Sequence, residues 1–170
     1  MNTPPDASEF AKFYLTYVSQ VPAGDIREIL ATQAAETALL LRSIHDEKSL
    51  SRYAPDKWTI REVVNHINDT ERVFTFRAFW FARGLGAELP SFDQDAAAAL
   101  SGANLRSWQS HIAEFEGVRA ATLAFWQDLP NDAWDRRGTA SGNPVSVRAL
   151  AWITAGHAAH HARILQESYL

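Results

Sequence analysis

Six histidines, His45, His66, His111, His157, His160 and His161, are the residues of this 170-residue chain best suited to chemistry. Three of them fall within Gly156-His-Ala-Ala-His-His-Ala-Arg163. Each residue of an α-helix turns by about 100°, so His157 and His161 project about 40° apart from one face. Two imidazoles one turn apart can reach a common point, the spacing used by metal-binding helices. Two ligands are too few for a tight site, so a third must come from another helix, as in sites built inside bundles. His66 is the best candidate, because it lies beside Val63, Ile67 and Thr70 on an apolar stripe where a spare charge is unwelcome. His160 shares a face with His157 at i+3, but helix phase favours His161. His45 and His111 read as surface residues or satisfied core imidazoles.

The chain has no cysteine, which excludes disulfides, thiolate metal sites and a cysteine nucleophile. Nitrogen and oxygen must hold any metal. Three neutral nitrogens on a divalent ion leave coordination positions open, as catalytic sites do. An open position can bind water and lower its pKa, or bind a thiol and keep it as thiolate. Zinc, nickel, copper, cobalt and iron all accept such ligands, and affinity order does not choose among them.

Around the histidines, Asp69 lies one turn from His66 and is placed either to orient an imidazole or on a solvated face. Glu71 is a candidate base, weighed against the plainer reading of a solvating carboxylate. Arg72 and Arg77 follow the His66 stripe. Internal pairing with Asp69 or Glu36 is favoured for them over binding an anionic substrate group. Tyr17 and Trp58 read as packing residues. No Ser–His–Asp constellation, P-loop or dinucleotide fingerprint occurs.

Composition bounds the alternatives. The formal charge is −4, with 16 basic and 20 acidic residues spread along the chain. No basic run offers a nucleic-acid footprint. No apolar stretch approaches the roughly 20 residues needed to span a bilayer, and MNTPPDASEF is not a signal peptide. The expectation is a cytoplasmic protein forming one domain over residues 1–170.

Four long helices must position the histidines. The first runs from about Ile26 to His45, with Asp25 as N-cap, Glu28 three residues on, and Ile26, Leu30, Ala34, Thr37, Leu41 and Ile44 as its buried stripe. The second opens with a Thr59–Glu62 capping box, a Trp58 staple onto Val63, and a stop at Gly84. The third begins after Asn104 and ends near Leu129-Pro130, with Leu105, Trp108, Ile112, Phe115, Val118, Thr122, Phe125 and Trp126 along its apolar side. The fourth starts at Asn143 and Pro144. A shorter helix over Ser8–Ser19 packs Phe10, Phe13, Tyr14 and Tyr17 on the bundle. The link from Gly84 to Ala103 is long enough for a crossover and holds a short helix over Asp93–Leu100. No strand-like alternation is read anywhere. The fold class is all-α, a four-helix bundle with a long crossover.

The segment Tyr53-Ala-Pro-Asp-Lys-Trp-Thr-Ile-Arg-Glu-Val-Val-Asn-His66-Ile-Asn-Asp-Thr-Glu-Arg72 and Gly156-His-Ala-Ala-His-His161 together resemble the DinB/YfiT-like superfamily. Phe79-Trp-Phe-Ala-Arg-Gly84, Leu89-Pro-Ser-Phe-Asp93 and Ala133-Trp-Asp-Arg-Arg-Gly138 resemble its connecting segments, so the likeness spans nearly the whole chain. It implies a four-helix bundle with a divalent metal, nickel or zinc, on His66, His157 and His161. It also implies a small-molecule substrate, with low-molecular-weight thiols used by some relatives, and frequent homodimers. Thiol S-transfer leads, with metal-dependent hydrolysis or a non-catalytic, stress-related metal-binding bundle as alternatives. Relatives often follow the paired histidines with Arg-Gly-Gln, where this chain has Ala162-Arg163-Ile164. The DNA polymerase that shares the family label is unrelated in fold, and nothing here supports polymerase chemistry. The count of six tryptophans and nine phenylalanines points to a dimer face.

Overall fold

Asp25 accepts a hydrogen bond from the backbone N–H of Arg27 at 2.9 Å and starts helix α1, Ile26–Ser43. Glu28 plays no part in this cap; the Arg27 guanidinium binds the Asp25 carboxylate instead, at 2.9 Å. This computed structural model describes residues 3–170. Helix α2, Ile60–Ala82, opens on the expected capping box: Glu62 N donates to Thr59 Oγ1, and Thr59 N to the Glu62 carboxylate. Asn104 clamps the box from the side, accepting from the Thr59 hydroxyl at 2.7 Å and donating to Glu62 at 3.0 Å. The helix stops before Gly84, whose φ of +74° only glycine adopts without strain.

Helix α3, Trp108–Gln127, starts later than the sequence implied, because the Ser107 hydroxyl caps it by accepting from Ser110 N. Leu105 therefore lies in a preceding 3-10 turn and is exposed, not part of the buried stripe. Helix α4 spans Val147–Ile164 and continues as a π-turn over Leu165–Tyr169. Between α2 and α3 a short helix, Gln94–Leu100, forms as expected with Asp93 as its N-cap.

Two expectations fail. Asn143 and Pro144 do not begin α4; they lie in strand β2, Asn143–Ser146, paired antiparallel with β1, Arg137–Ala140. Ser141 and Gly142 both adopt positive φ, 54° and 72°, which closes a two-residue hairpin loop. Ser146 is the true cap, accepting from Ala149 N at 2.9 Å while donating to Glu9 at 2.6 Å. The proposed helix over Ser8–Ser19 breaks into 3-10 turns at Ala7–Glu9 and Lys12–Tyr14 and one α-turn at Leu15–Val18. Glu9 is the reason: its carboxylate is drawn inward to Ser146 and Arg148, at 2.6 and 2.5 Å, and fixes the chain there. Phe10, Tyr14 and Tyr17 pack on the bundle, whereas Phe13 is exposed.

Helices α1 and α2 each pack on both α3 and α4. The two consecutive helices thus face each other diagonally, and the 83–107 connection is the crossover this requires. Trp108, Trp126, Trp134 and Trp152 are fully buried, and Trp58 and Trp80 are half-buried against the core. One bundle therefore accommodates all six tryptophans, and the aromatic surplus that pointed to a dimer face shrinks to Phe13, Phe76 and Phe79. Among the described residues no helix is long and apolar enough to cross a membrane.

Candidate metal centre

Apolar neighbours on α2 and α4 turn His66, His157 and His161 inward toward one another. His66 Nε2 and His157 Nε2 stand 3.0 Å apart, and one ring nitrogen from each of the three residues lies within 4.8 Å of the other two. His66 and His157 are buried, and His161 is half-buried. The i, i+4 spacing on α4 and the apolar phase of α2 bring together the three residues singled out from sequence. His160 stays outside this cluster, its ring against Tyr17 and His161. His111 is a core imidazole bonded to Ala103 O at 2.9 Å, and His45 is exposed at the start of a short helix.

Burial strips water from these rings and disfavours their charged forms. It holds His66 down at about 4 and His161 at about 3, the latter also opposed by the positive charge His66 and His160 would carry. His157 is lowered by burial and by its three histidine neighbours. All three are neutral at pH 7, the form that ligates metal. The spacing suits an ion as well. Two nitrogens at about 2.0–2.1 Å from a tetrahedral zinc are roughly 3.3 Å apart, near the observed separation, and no carboxylate belongs to the cluster.

Thr70, one turn after His66, places its hydroxyl 3.3 Å from His66 Nδ1 and so turns Nε2 toward His157. This is the role considered for Asp69, which instead accepts from Asn65 and Arg72. Glu71, weighed as a base or a solvating carboxylate, is not solvated: it is buried in the bundle and bound to Arg119 at 2.8 Å. Arg119 in turn donates to Gln33, which donates to Ala155 O beside the α4 histidines. Arg72 is internally paired, with Asp69 at 3.3 Å and Glu114 at 2.7 Å. Arg77 is not paired in the way the sequence favoured; it binds Pro90 O and Ser141 Oγ, both at 2.9 Å. Arg163 pairs with Glu167 on the surface.

Tyr17 and Trp58, expected as packing residues, pack directly on the histidine cluster. The Tyr17 ring lies edge-on to His157 at 5.2 Å, and the Trp58 ring is 4.9 Å from His66. Tyr17 gets there because position 156 has no side chain: a Cβ on Gly156 would stand 2.1 Å from Tyr17 O. Tyr169 fixes Trp58 by donating its hydroxyl to Trp58 O at 2.6 Å. Two clefts of about 310 Å³ each reach the cluster, one past Tyr17, Thr70 and Arg77 to His157, the other past Trp58 and Asp95 to His161. A larger groove of about 700 Å³ lies on the outer side of α2 and α3, between Phe76, Phe79 and Phe125, and includes none of the three histidines.

The bundle resembles solved structures throughout its length. YfiT from Bacillus subtilis, described as a probable metal-dependent hydrolase with an unusual four-helix bundle topology, superposes with a TM-score of 0.68 at 18% identity, covering 98% of this chain and 91% of that one. The mycothiol-dependent maleylpyruvate isomerase superposes with a TM-score of 0.71 at 14% identity, covering 86% of this chain. This chain spans only 61% of that enzyme's length. At these identities the likeness establishes the fold. No curated protein matches in sequence. The sequence profile of the DinB superfamily matches residues 29–165, from early in α1 to the end of α4, and the chain belongs to that superfamily.

Proposed function

We propose that His66, His157 and His161 hold one divalent metal ion, zinc or nickel, and that the chain is an enzyme acting on a small molecule there. The observation that carries this is the convergence of three neutral imidazoles, from two helices, with no acid among them. A divalent ion held by three neutral ligands supplies an undiminished Lewis acid that lowers the pKa of a thiol or water bound beside it. The chain's own residues prepare that place. Thr70 orients His66, Phe74 and Tyr17 pack edge-on against His157, and Trp58 packs against His66. Asp69 and Glu71 are both engaged away from the centre, the first by Asn65 and Arg72 and the second by Arg119.

A nucleophile that needs no neighbouring base after ionisation suits such a site, and a low-molecular-weight thiol is one. Thiol S-transfer or thiol-dependent isomerisation is therefore the leading reading, in keeping with the mycothiol dependence of one structural neighbour. Metal-dependent hydrolysis is the second reading, favoured by the near full-length likeness to YfiT.

Elemental analysis of the untagged protein beside His66→Ala and His161→Ala is the test. One equivalent of metal in the parent, lost in both variants, is the expected result. Metal absent after reconstitution refutes the proposal. With cobalt in the site, a thiolate-to-metal absorption band on adding mycothiol, bacillithiol or glutathione supports the thiol reading. No band with any of them, together with ester or amide cleavage, moves the assignment to hydrolysis.

A further inference from the structure

Three arginines are buried in this bundle, and two have an acidic partner: Arg61 pairs with Asp46 and Arg119 with Glu71. Arg77 is the third. It is 5% exposed, and among the described residues its hydrogen-bond partners are neutral oxygens: Nη2 donates to Pro90 O and Ser141 Oγ, and the guanidinium also bonds the Tyr14 hydroxyl. A buried guanidinium without an anion is costly, which is why buried charges are normally paired. No carboxylate pairs with it among the described residues, and none of its donors is both sealed from solvent and unpartnered. The side chain forms a wall of the cleft that ends at His157 and Thr70.

The rest of that wall offers donors. Ser141 accepts from Arg77, so its own hydroxyl proton is free to be given. Tyr14 lines the same cleft, and burial raises its pKa, keeping its proton in place at neutral pH. Arg77 follows His66 by eleven residues, or three turns along one face of α2, about 16 Å between Cα atoms. Arg77 and Thr70, two turns apart on α2, line the same cleft. A planar fork that has donors beyond those its neutral partners take fits a carboxylate.

We propose that Arg77, with Ser141 and Tyr14, forms a carboxylate-binding subsite that anchors one end of a small anionic substrate whose reactive end lies at the histidine cluster. The second half of this statement rests on the metal reading above; the anion site does not.

Succinate is the probe, titrated by calorimetry into chelator-treated and metal-loaded protein, with uncharged succinamide as control. The Arg77 Nε–H resonance is followed by NMR in parallel. Succinate is expected to bind both forms and to shift that resonance, whereas succinamide does neither. Arg77→Gln weakens binding by about tenfold or more, the range for loss of a hydrogen bond to a charged group. Tyr14→Phe weakens it less. If Arg77→Gln does not fold, the resonance in the unsubstituted chain decides. An unshifted resonance at saturating succinate, or unchanged affinity in folded Arg77→Gln, overturns the proposal. Binding that needs metal and ignores Arg77→Gln overturns it too, placing the carboxylate on the ion and leaving the metal reading intact. A shifted resonance in protein that takes up no metal upholds the anion site while the metal reading fails.

Discussion

Gly156→Ala tests how the bundle shapes its centre. Gly156 lies inside α4, where alanine is the better helix former by about 1 kcal/mol, so propensity alone predicts stabilisation. The structure predicts the opposite. An added Cβ would stand 2.1 Å from Tyr17 O, 2.4 Å from Tyr17 C and 2.9 Å from Tyr17 Cα. These are backbone atoms and cannot rotate away, so the Leu15–Val18 turn must retreat from α4 by more than 1 Å. Overpacking of this kind costs about 1–3 kcal/mol, and withdrawing the Tyr17 ring from His157 removes a contact worth about 0.5–1.5 kcal/mol. With the propensity gain subtracted, the net loss is about 0.5–3.5 kcal/mol. For a chain of this length that is a fall in Tm of roughly 2–10 °C. Gly117→Ala is the matched control: it too lies within a long helix, but a Cβ there meets nothing within 4 Å. It should be stabilised by about 0.4–1 kcal/mol. Urea unfolding of the three proteins, with slopes compared to confirm a common reference, gives both numbers. If both variants are stabilised alike, Tyr17 does not lie against α4 and the account of how His157 is covered is wrong.

Chelator-treated protein should lose stability as pH falls from 7 toward 5. Unfolded histidines take up protons near 6.5, whereas folded His66 and His161 refuse them until about 4 and about 3. The unfolded state therefore binds more protons in that window, and each of these residues contributes a slope of up to about 1.4 kcal/mol per pH unit. Denaturant titrations at several pH values read it, and a flat profile between pH 7 and 5 contradicts the burial argument. Glu71→Gln strands the Arg119 charge in the core and should cost about 3–5 kcal/mol, with Glu71→Leu/Arg119→Met recovering much of it. A full double-mutant cycle measures the coupling, and a Glu71→Gln protein as stable as its parent rules the pair out as a structural element. Zinc or nickel added at about 100 times its Kd should stabilise the parent by about 2.7 kcal/mol and His66→Ala by nothing. Thermal melts across a metal titration show whether the gain depends on His66.

The metal candidates were legible because each obeys a local rule. His157 and His161 are one turn apart on an apolar stripe, and His66 sits in the phase of Val63 and Thr70 behind an unambiguous capping box. What escaped depends on partners distant in sequence. Nothing near Glu9 announces Ser146 and Arg148, whose pull breaks the N-terminal segment into separate turns. Strands of four residues carry too little alternation to compete with the helix-start signal of Asn143-Pro144, although Ser141-Gly142 is a recognisable hairpin loop. Glu71 looked solvated because Arg119 lies 48 residues away. The available hint was that Arg119 follows Phe115 by four, a charge inside the apolar stripe of α3. Arg77 looked paired because acidic residues were near in sequence, but the bundle sends Asp69 to Arg72 and leaves Arg77 facing a cleft.

That residue and the histidines bear on one question: whether this interior is arranged for stability. Leucine at 66, 157 and 161 would fill the space between α2 and α4 without a ring that resists its own protonation. Methionine at 77 would spare the bundle an unpaired buried cation. Elsewhere in the core charges are paired, as Arg119 is with Glu71, and Trp126 stacks on Trp134 at 5.3 Å. The clustered imidazoles and the buried cation without an anion are not scattered. They lie along one line, from Arg77 through Thr70 and His157 to His66 and His161, on facing sides of α2 and α4 and open to solvent at both ends. Natural folds break local rules where a site requires it, and perturbed ionisable groups gather there. Three ring nitrogens supply what a cation lacks, and an unpaired guanidinium supplies what an anion lacks. A ligand set of one metal ion and one carboxylate would satisfy every group along that line.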